Sequence, residues 1–210
     1  MTDLAPYITA FTTLFVVIDP IGLAPLFVAL TQGMTDRQRR IIGLRACAMA
    51  VVLLTLFGLF GEAILGFIGI SLPAFRIAGG ILLFLTALDM LFDRRTKRRE
   101  GQAEAADDPG DDPTVFPLAT PLIAGPGAMA TMILLTGSSG ADWTHVAAIH
   151  GVMVAVIALV LALFMAGGLI ERALGPVGIN MVSRLLGMLL AALSVQFVLD
   201  GLRGFGLAAA

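Results

Sequence analysis

Hydrophobic residues run along this chain in long stretches that show neither strict alternation nor a single apolar face. Five windows, roughly 41–69, 74–92, 114–136, 145–170 and 181–202, are long enough to cross a hydrocarbon core as helices. A sixth, about 5–31, is apolar except at Asp19. It is too long and too polar at its centre for a signal-peptide core and lacks a basic leader, so it is expected to stay in the mature protein. Six spans take up nearly every residue and leave no soluble domain. The pattern predicts an all-α polytopic membrane protein.

Two apolar stretches are interrupted in the same way, at Asp19-Pro20-Ile21-Gly22-Leu23-Ala24-Pro25 and at Thr120-Pro121-Leu122-Ile123-Ala124-Gly125-Pro126-Gly127. Each pairs a short oxygen-bearing side chain with a proline and places a second proline five residues later. Other, rarer residues recur in the same order. Glu62-Ala63-Ile64-Leu65-Gly66 lines up with Glu171-Arg172-Ala173-Leu174-Gly175, Ser71 with Asn180, both good N-cap residues for the span that follows, and Arg76-Ile77-Ala78-Gly79 with Arg184-Leu185-Leu186-Gly187. The offsets are 101 residues for the prolines, 109 for the glutamates and 108 for the arginines. This predicts two three-helix repeats, residues 1–92 and 114–210, joined by a charged linker at 93–113. An odd number of spans per repeat inserts the second upside down, with spans one and four broken at their Pro/Gly motifs. Asp19 lies about fourteen residues into its span and Thr120 about six into its own, a misfit between the two halves.

Composition agrees with the pattern. With 58% hydrophobic and 13% charged residues and a mean hydropathy of +0.96, the chain is too apolar for a soluble domain. The net charge of −2 matters less than its segregation. Arg37, Arg39 and Arg40 sit between spans one and two, with Arg45 just beyond, Arg94, Arg95, Lys97, Arg98 and Arg99 follow span three, and Arg172 and Arg184 lie around the turn between spans five and six. The other side has Arg76 and Arg203 near its boundaries. The positive-inside rule makes the basic loops cytoplasmic and both termini periplasmic. Re-entrant proline segments would instead put the Lys/Arg-free 137–144 loop among the basic ones, so full crossing is expected. These cations are read as topology determinants and not as a nucleic-acid site. The acidic end of the linker, Glu104 to Pro113, reads as solvated.

Helix breaks inside a membrane are candidate sites, because free helix ends must be satisfied by protein, water or a ligand. Pro20 and Pro121 each fit the first position of a half-helix, with Asp19 and Thr120 as N-caps. The preceding half-helices would then end in free carbonyls, and the following ones would present N–H donors to an anion. The candidate substrate-binding set is Asp19, Pro20, Ile21, Gly22, Pro25, Thr120, Pro121, Gly125, Pro126 and Gly127. Asp19 is the acid well inside a span, and so a candidate proton carrier or cation ligand. Its plainer role is to cap the helix beginning at Pro20. Arg76 and Arg184 could gate by pairing with Glu62 and Glu171 across short turns, or simply anchor span ends. Ser194 and Gln196 could line a pathway or bond between helices. Gly79, Gly80 and Gly187 read as close-packing positions, and Trp143 and Tyr7 as interfacial residues. Cys47 stands alone, and His145 and His150 lack partners at metal-ligand spacing, so neither a disulfide nor a metal site is expected. No grouped serine, histidine and acid, and no phosphate loop, suggests an enzyme.

The proline motifs, with Pro117-Leu118-Ala119 before the second and Leu26-Phe27 after the first, resemble those of the MarC family of bacterial inner-membrane proteins. Arg76-Ile77-Ala78-Gly79-Gly80 and Leu193-Ser194-Val195-Gln196-Phe197-Val198-Leu199-Asp200-Gly201 are also similar to family stretches. Members often carry Asn where this chain has Leu23. The family name implies a link with multiple antibiotic resistance, and some relatives are similar to transporters of small neutral amino acids such as glycine and alanine. The resemblance implies a secondary transporter of a small neutral amino acid or similar metabolite in the inner membrane, with H+ or Na+ as coupling ion through Asp19. The alternatives are a non-transporting scaffold or stress-related module, a broad-substrate exporter, and a channel, the last disfavoured because no ring of like charges is visible.

Overall fold

Every regular element among the described residues, 4–104, 113–137 and 142–206 of the computed structural model, is helical. That follows from a medium that offers the backbone no hydrogen-bond partners. In chain order these are α1 (Ala5–Ile18), α2 (Pro20–Leu30), α3 (Asp36–Ile68), α4 (Leu72–Leu91), α5 (Arg94–Glu104), an irregular helical segment at Thr114–Ile123, α6 (Pro126–Thr136), α7 (Trp143–Met165) and α8 (Gly167–Gly204). Five stretches are long and apolar enough to cross a membrane, with α1 and α2 together counting as one. The Thr114–Ile123 segment and α6, bent by 55° to each other, count as a sixth when taken as one span. The acidic linker residues 105–112 and residues 138–141 of the Lys/Arg-free loop lie outside the described residues.

Local chemistry sets most of the ends. Thr35 and Gln38 form a reciprocal capping box that starts α3, and Gly69 ends it with a left-handed φ of 83°. Ser71 caps α4 by accepting from the Ala74 N–H at 3.3 Å, as its position in the repeat predicts. Its partner Asn180 does not act as a cap. The chain turns at Ala166 and again at Gly175 (φ 60°, ψ 176°), where two helical stretches of α8 meet at a kink inside the predicted turn at 171–180, and Asn180 falls within the second stretch. The early turn has a packing cause: a Cβ on Gly167 would stand 2.7 Å from Val28 Cγ2 and 3.3 Å from the Ala24 carbonyl, so α8 starts hard against α2. The Asn180 amide instead donates to Asp93 at 3.5 Å.

The centre of the molecule is the α1–α2 span. Its most apolar window is 56% buried, against 22–28% for the windows of α3, α4, α7 and α8. Leu14, Val17, Ile18, Leu23 and Phe27 pack there against Ile123 and Met132 of the second bent span and Phe164 of α7. Phe27 and Phe164 stack at 4.4 Å between ring centres. The outer helices leave large apolar side chains such as Phe67, Leu169 and Val177 exposed, as a lipid-facing surface requires. α3 has 33 residues, about 50 Å of helix against a hydrocarbon core of about 30 Å. Its Arg-rich first turns therefore lie outside the core.

α4 and α8 run antiparallel in close contact through glycines. A Cβ on Gly80 would stand 2.8 Å from the Ser194 carbonyl oxygen, one on Gly187 would stand 2.9 Å from Met90 Cβ, and one on Gly201 would stand 2.9 Å from the Pro73 carbonyl oxygen. The helices approach this closely only because these residues have no side chain. Gly80→Ala should therefore lower the thermal unfolding midpoint in mild detergent, by an amount matching about 1–3 kcal/mol. Gly151→Ala, on α7 with nothing within 4 Å of its would-be Cβ, should hold or raise it through helix propensity. Equal effects of the two would contradict the packing assignment.

Candidate functional site

The first break is a single residue. Asp19 takes a left-handed conformation (φ 58°, ψ 65°), which the short polar Asp side chain tolerates better than most. Its N–H still donates to the Phe15 carbonyl at 2.9 Å, and its own carbonyl accepts from Leu23 at 3.0 Å. Span one is thus continuous across a local kink. As predicted, Asp19 caps α2: Oδ1 accepts from the Gly22 N–H at 3.1 Å. A Cβ on Gly22 would overlap Asp19 Oδ2, so the carboxylate folds over the start of α2 only because residue 22 is glycine.

The break leaves Val17 and Ile18 without their usual partners. A regular helix would give their carbonyls to the N–H groups of Ile21 and Gly22. Here the Val17 carbonyl accepts from Arg95 Nη2, and the Ile18 carbonyl from Arg99 Nη2 at 2.9 Å. Arg99 Nη1 also meets Asp19 Oδ2 at 3.0 Å, in an ion pair whose side chains are 7% and 3% exposed. Arg95 Nη1 contacts the Met90 sulfur at 3.0 Å. The two arginines, one helical turn apart on α5, satisfy what the break exposes. Burial pulls the Arg95 guanidinium down to about 9, aided by the nearby Arg99 charge and opposed by Asp19, so it stays charged at neutral pH. Burial likewise lowers Arg99, with Asp19 opposing. The sequence-based expectation of free carbonyls at this break is corrected by these bonds, and Arg95 and Arg99 are more than topology markers.

The second break has a different form. Thr120 is extended (φ −134°, ψ 124°) inside the irregular segment, where Leu118 and Ala124 bond back five residues to Pro113 and Ala119. Thr120 therefore does not cap a half-helix at Pro121, contrary to expectation. The half-helix is α6, which begins at Pro126 after an extended Gly125 and has no side-chain cap. The reason is local: two prolines, Pro117 and Pro121, remove N–H donors inside the segment, and regular α-helix resumes only after Gly125. A Cβ on Gly127 would stand 3.2 Å from Val17 Cγ1, so the start of α6 lies against the end of α1.

A cavity of about 380 Å³ opens at the second break. It is lined by Pro121, Gly125, Pro126 and Gly127, by Leu82, Thr86 and Asp89 of α4, and by Arg95, Arg98 and Arg99 of α5. Arg98 pairs with Asp89 at 2.9 Å. Asp89 and Asp19 balance two of the three arginines, leaving one excess positive charge beside the uncapped start of α6. The cavity reaches the first break through Val17 and Arg99, whereas Asp19, Pro20, Ile21, Gly22, Pro25 and Thr120 do not line it.

The predicted gating residues lie elsewhere. Glu62 borders a separate cavity of about 340 Å³ with Thr136 and Trp143. Glu62, Glu171 and Arg184 are exposed and Arg76 is half-buried, and among the described residues no ion pair joins either glutamate to its arginine. Gln196 donates to Asp200 at 2.8 Å, and buried Ser194 bonds its own helix at the Ala191 carbonyl. The residues that sequence reasoning missed are Arg95, Arg98, Arg99, Thr86 and Asp89. One signal for them was available: Arg95 and Arg99 are spaced four apart, on one face of any helix the linker forms.

A family model described as "MarC family integral membrane protein" matches residues 4–205. A UPF0056 membrane protein of Methanocaldococcus jannaschii is 36% identical over 202 residues, covering 96% of this chain and 98% of that protein. The UPF0056 membrane protein YhcE of Escherichia coli K12 is 32% identical, covering 96% and 94%, and YvbG of Bacillus subtilis is 36% identical, covering 92% of each. These names state no substrate or ion. No solved structure matches the chain.

Asp19→Ala should cost about 3–5 kcal/mol of stability, because it leaves Arg99 buried without a counter-ion. Adding Arg99→Met should recover much of that loss. A double-mutant cycle from unfolding in detergent should give a coupling energy of about 2 kcal/mol or more. A coupling near zero would show that the pair is not a unit.

Proposed function

The chain belongs to the MarC family of integral membrane proteins, and from that premise we propose that it is a secondary transporter of a small neutral amino acid or a similar small metabolite. The observation that carries this is the cavity at the second break, where excess positive charge, uncapped N–H groups and one carboxylate face the same space. A substrate carboxylate fits the start of α6 and the arginines. A substrate ammonium fits Asp89, and the glycines limit side-chain bulk. The volume is at the small end of ligand pockets, which suits a small solute.

Coupling is assigned to Asp19. Its two oxygens are held by Gly22 and Arg99, so a proton or sodium ion reaches it only when Arg99 withdraws. Substrate and coupling ion then act on one element, α5, whose arginines touch both breaks. Alternating access is the opening and closing of that contact.

The same reading includes an inverted repeat. Near the 108-residue offset, the contacts of Gly80 with Ser194 and Val198 map onto those of Gly187 with Ala87 and Met90, within one residue. A two-fold axis in the membrane plane would relate antiparallel α4 and α8 in this way. Aligning the half-helix starts Pro20 and Pro126 gives an offset of 106, close to the 108 and 109 of the other pairs, and removes the depth misfit seen with Pro121. The same reading puts the basic loops in the cytoplasm of a cell with an inner membrane and both termini outside it, on the positive-inside rule.

The packed first break, with Asp19 only 2% exposed, is what a non-transporting module would also show. Flux separates the two. Proteoliposomes should move at least one of labelled glycine, alanine or serine in response to an imposed proton or sodium gradient. Asp89→Asn should raise the KM for that substrate roughly tenfold or more, the worth of one charged hydrogen bond. No gradient-dependent flux for any of the three would overturn the amino-acid assignment.

A further inference from the structure

A third cavity, of about 580 Å³, lies between α2, α3 and α7, away from both breaks. At one end stand Arg39 and Arg40, in the first turns of α3. Deeper walls are Leu44, Leu161 and Met165, with the stacked Phe27 and Phe164 rings behind them. We propose that this groove binds an anionic phospholipid, its phosphate held by Arg39 and Arg40 and an acyl chain lying along Leu44, Leu161 and Met165.

The Arg39 fork is preset. Its Nε–H donates to Thr31 Oγ1 at 3.0 Å, and the buried Thr31 hydroxyl donates in turn to the Phe27 carbonyl at 2.7 Å. That fixes the guanidinium plane and leaves both terminal amino groups for a bidentate phosphate contact. Among the described residues, neither Arg39 nor Arg40 forms an ion pair. Asp36 also borders the groove, three and four residues before them, and its charge leaves a net +1 from two arginines and one aspartate.

Depth selects a lipid over a soluble anion. Residues 36–40 precede the apolar run of α3, so the arginines lie at the headgroup level of a helix longer than the hydrocarbon core. One turn further in, the walls are apolar and open sideways: Leu44 is 47% exposed and Met165 45%. A cationic mouth above apolar walls that face the bilayer matches a phospholipid and leaves a free anion unheld below its charge.

Purified full-length protein in a neutral detergent should be titrated with phosphatidylglycerol, with phosphatidylcholine of the same acyl chains, and with inorganic phosphate. Its unfolding midpoint should be followed by thermal scanning and its bound lipid by native mass spectrometry. Phosphatidylglycerol should raise the midpoint by several degrees and remain bound at one per chain, while phosphatidylcholine and phosphate should do neither. Arg39→Gln with Arg40→Gln should abolish the shift. Should that pair fail to fold, Ala158→Phe fills the groove from its open side without touching a charge and should abolish the shift as well. Equal shifts with both lipids, a full shift with phosphate alone, or a shift that survives either variant would overturn the proposal.

Discussion

A helix that breaks inside a membrane exposes carbonyls that water cannot reach, and this structure is arranged around meeting that need. The left-handed turn at Asp19 strands the carbonyls of Val17 and Ile18 at the most buried part of the chain. Arg95 and Arg99 supply the missing donors, and Arg99 at the same time neutralises Asp19. Three conditions hold this together. The carboxylate needs glycine at position 22 to fold over the helix start, the arginines need a helical α5 to reach inward, and α5 needs the break as its anchor. Remove one and the others are left as buried charge or unpaired backbone.

The second break solves the same problem differently and so has a different use. It has no acid and no arginine in its own segment. Its prolines unwind the backbone over the Thr114–Ile123 stretch, and α6 starts without a side-chain cap. What the first break closes with side chains, the second leaves open as a cavity. Because α5 passes both, with Arg99 bonded at one and lining the other, the two are coupled through a single short helix. That shared contact is the physical basis for the proposal that substrate and ion act in one transport cycle.

Much of the architecture was legible in the residues. Long apolar runs marked the spans, and the capping role of Ser71 follows from its residue type. Asp19 as cap of α2 was written in the Asp-Pro pair. The glycines of α4 and α8 were read as close contacts and are so. The shift of the second half-helix from Pro121 to Pro126 was not legible, because Thr-Pro and Gly-Pro both start helices and only the packing of Gly127 on Val17 chooses between them. The turn between spans five and six was half legible: the kink at Gly175 lies inside the predicted 171–180, whereas the turn at Ala166, set by the contact of Gly167 with α2, has no polar residue to mark it. Arg95 and Arg99 were hidden by their neighbours: a run of five cations in six residues reads as a membrane-proximal topology signal, and only the fold shows that two of them turn inward.

The most direct test of this account is hydrogen–deuterium exchange along α5, read by mass spectrometry on the intact protein and on Asp19→Asn. If the break anchors α5, the amides of Arg94–Glu104 exchange slowly in the native protein and at rates close to an undocked helix in the variant, while α3 and α7 keep their protection. Fast exchange of α5 in the native protein, or no difference between the two, would contradict it.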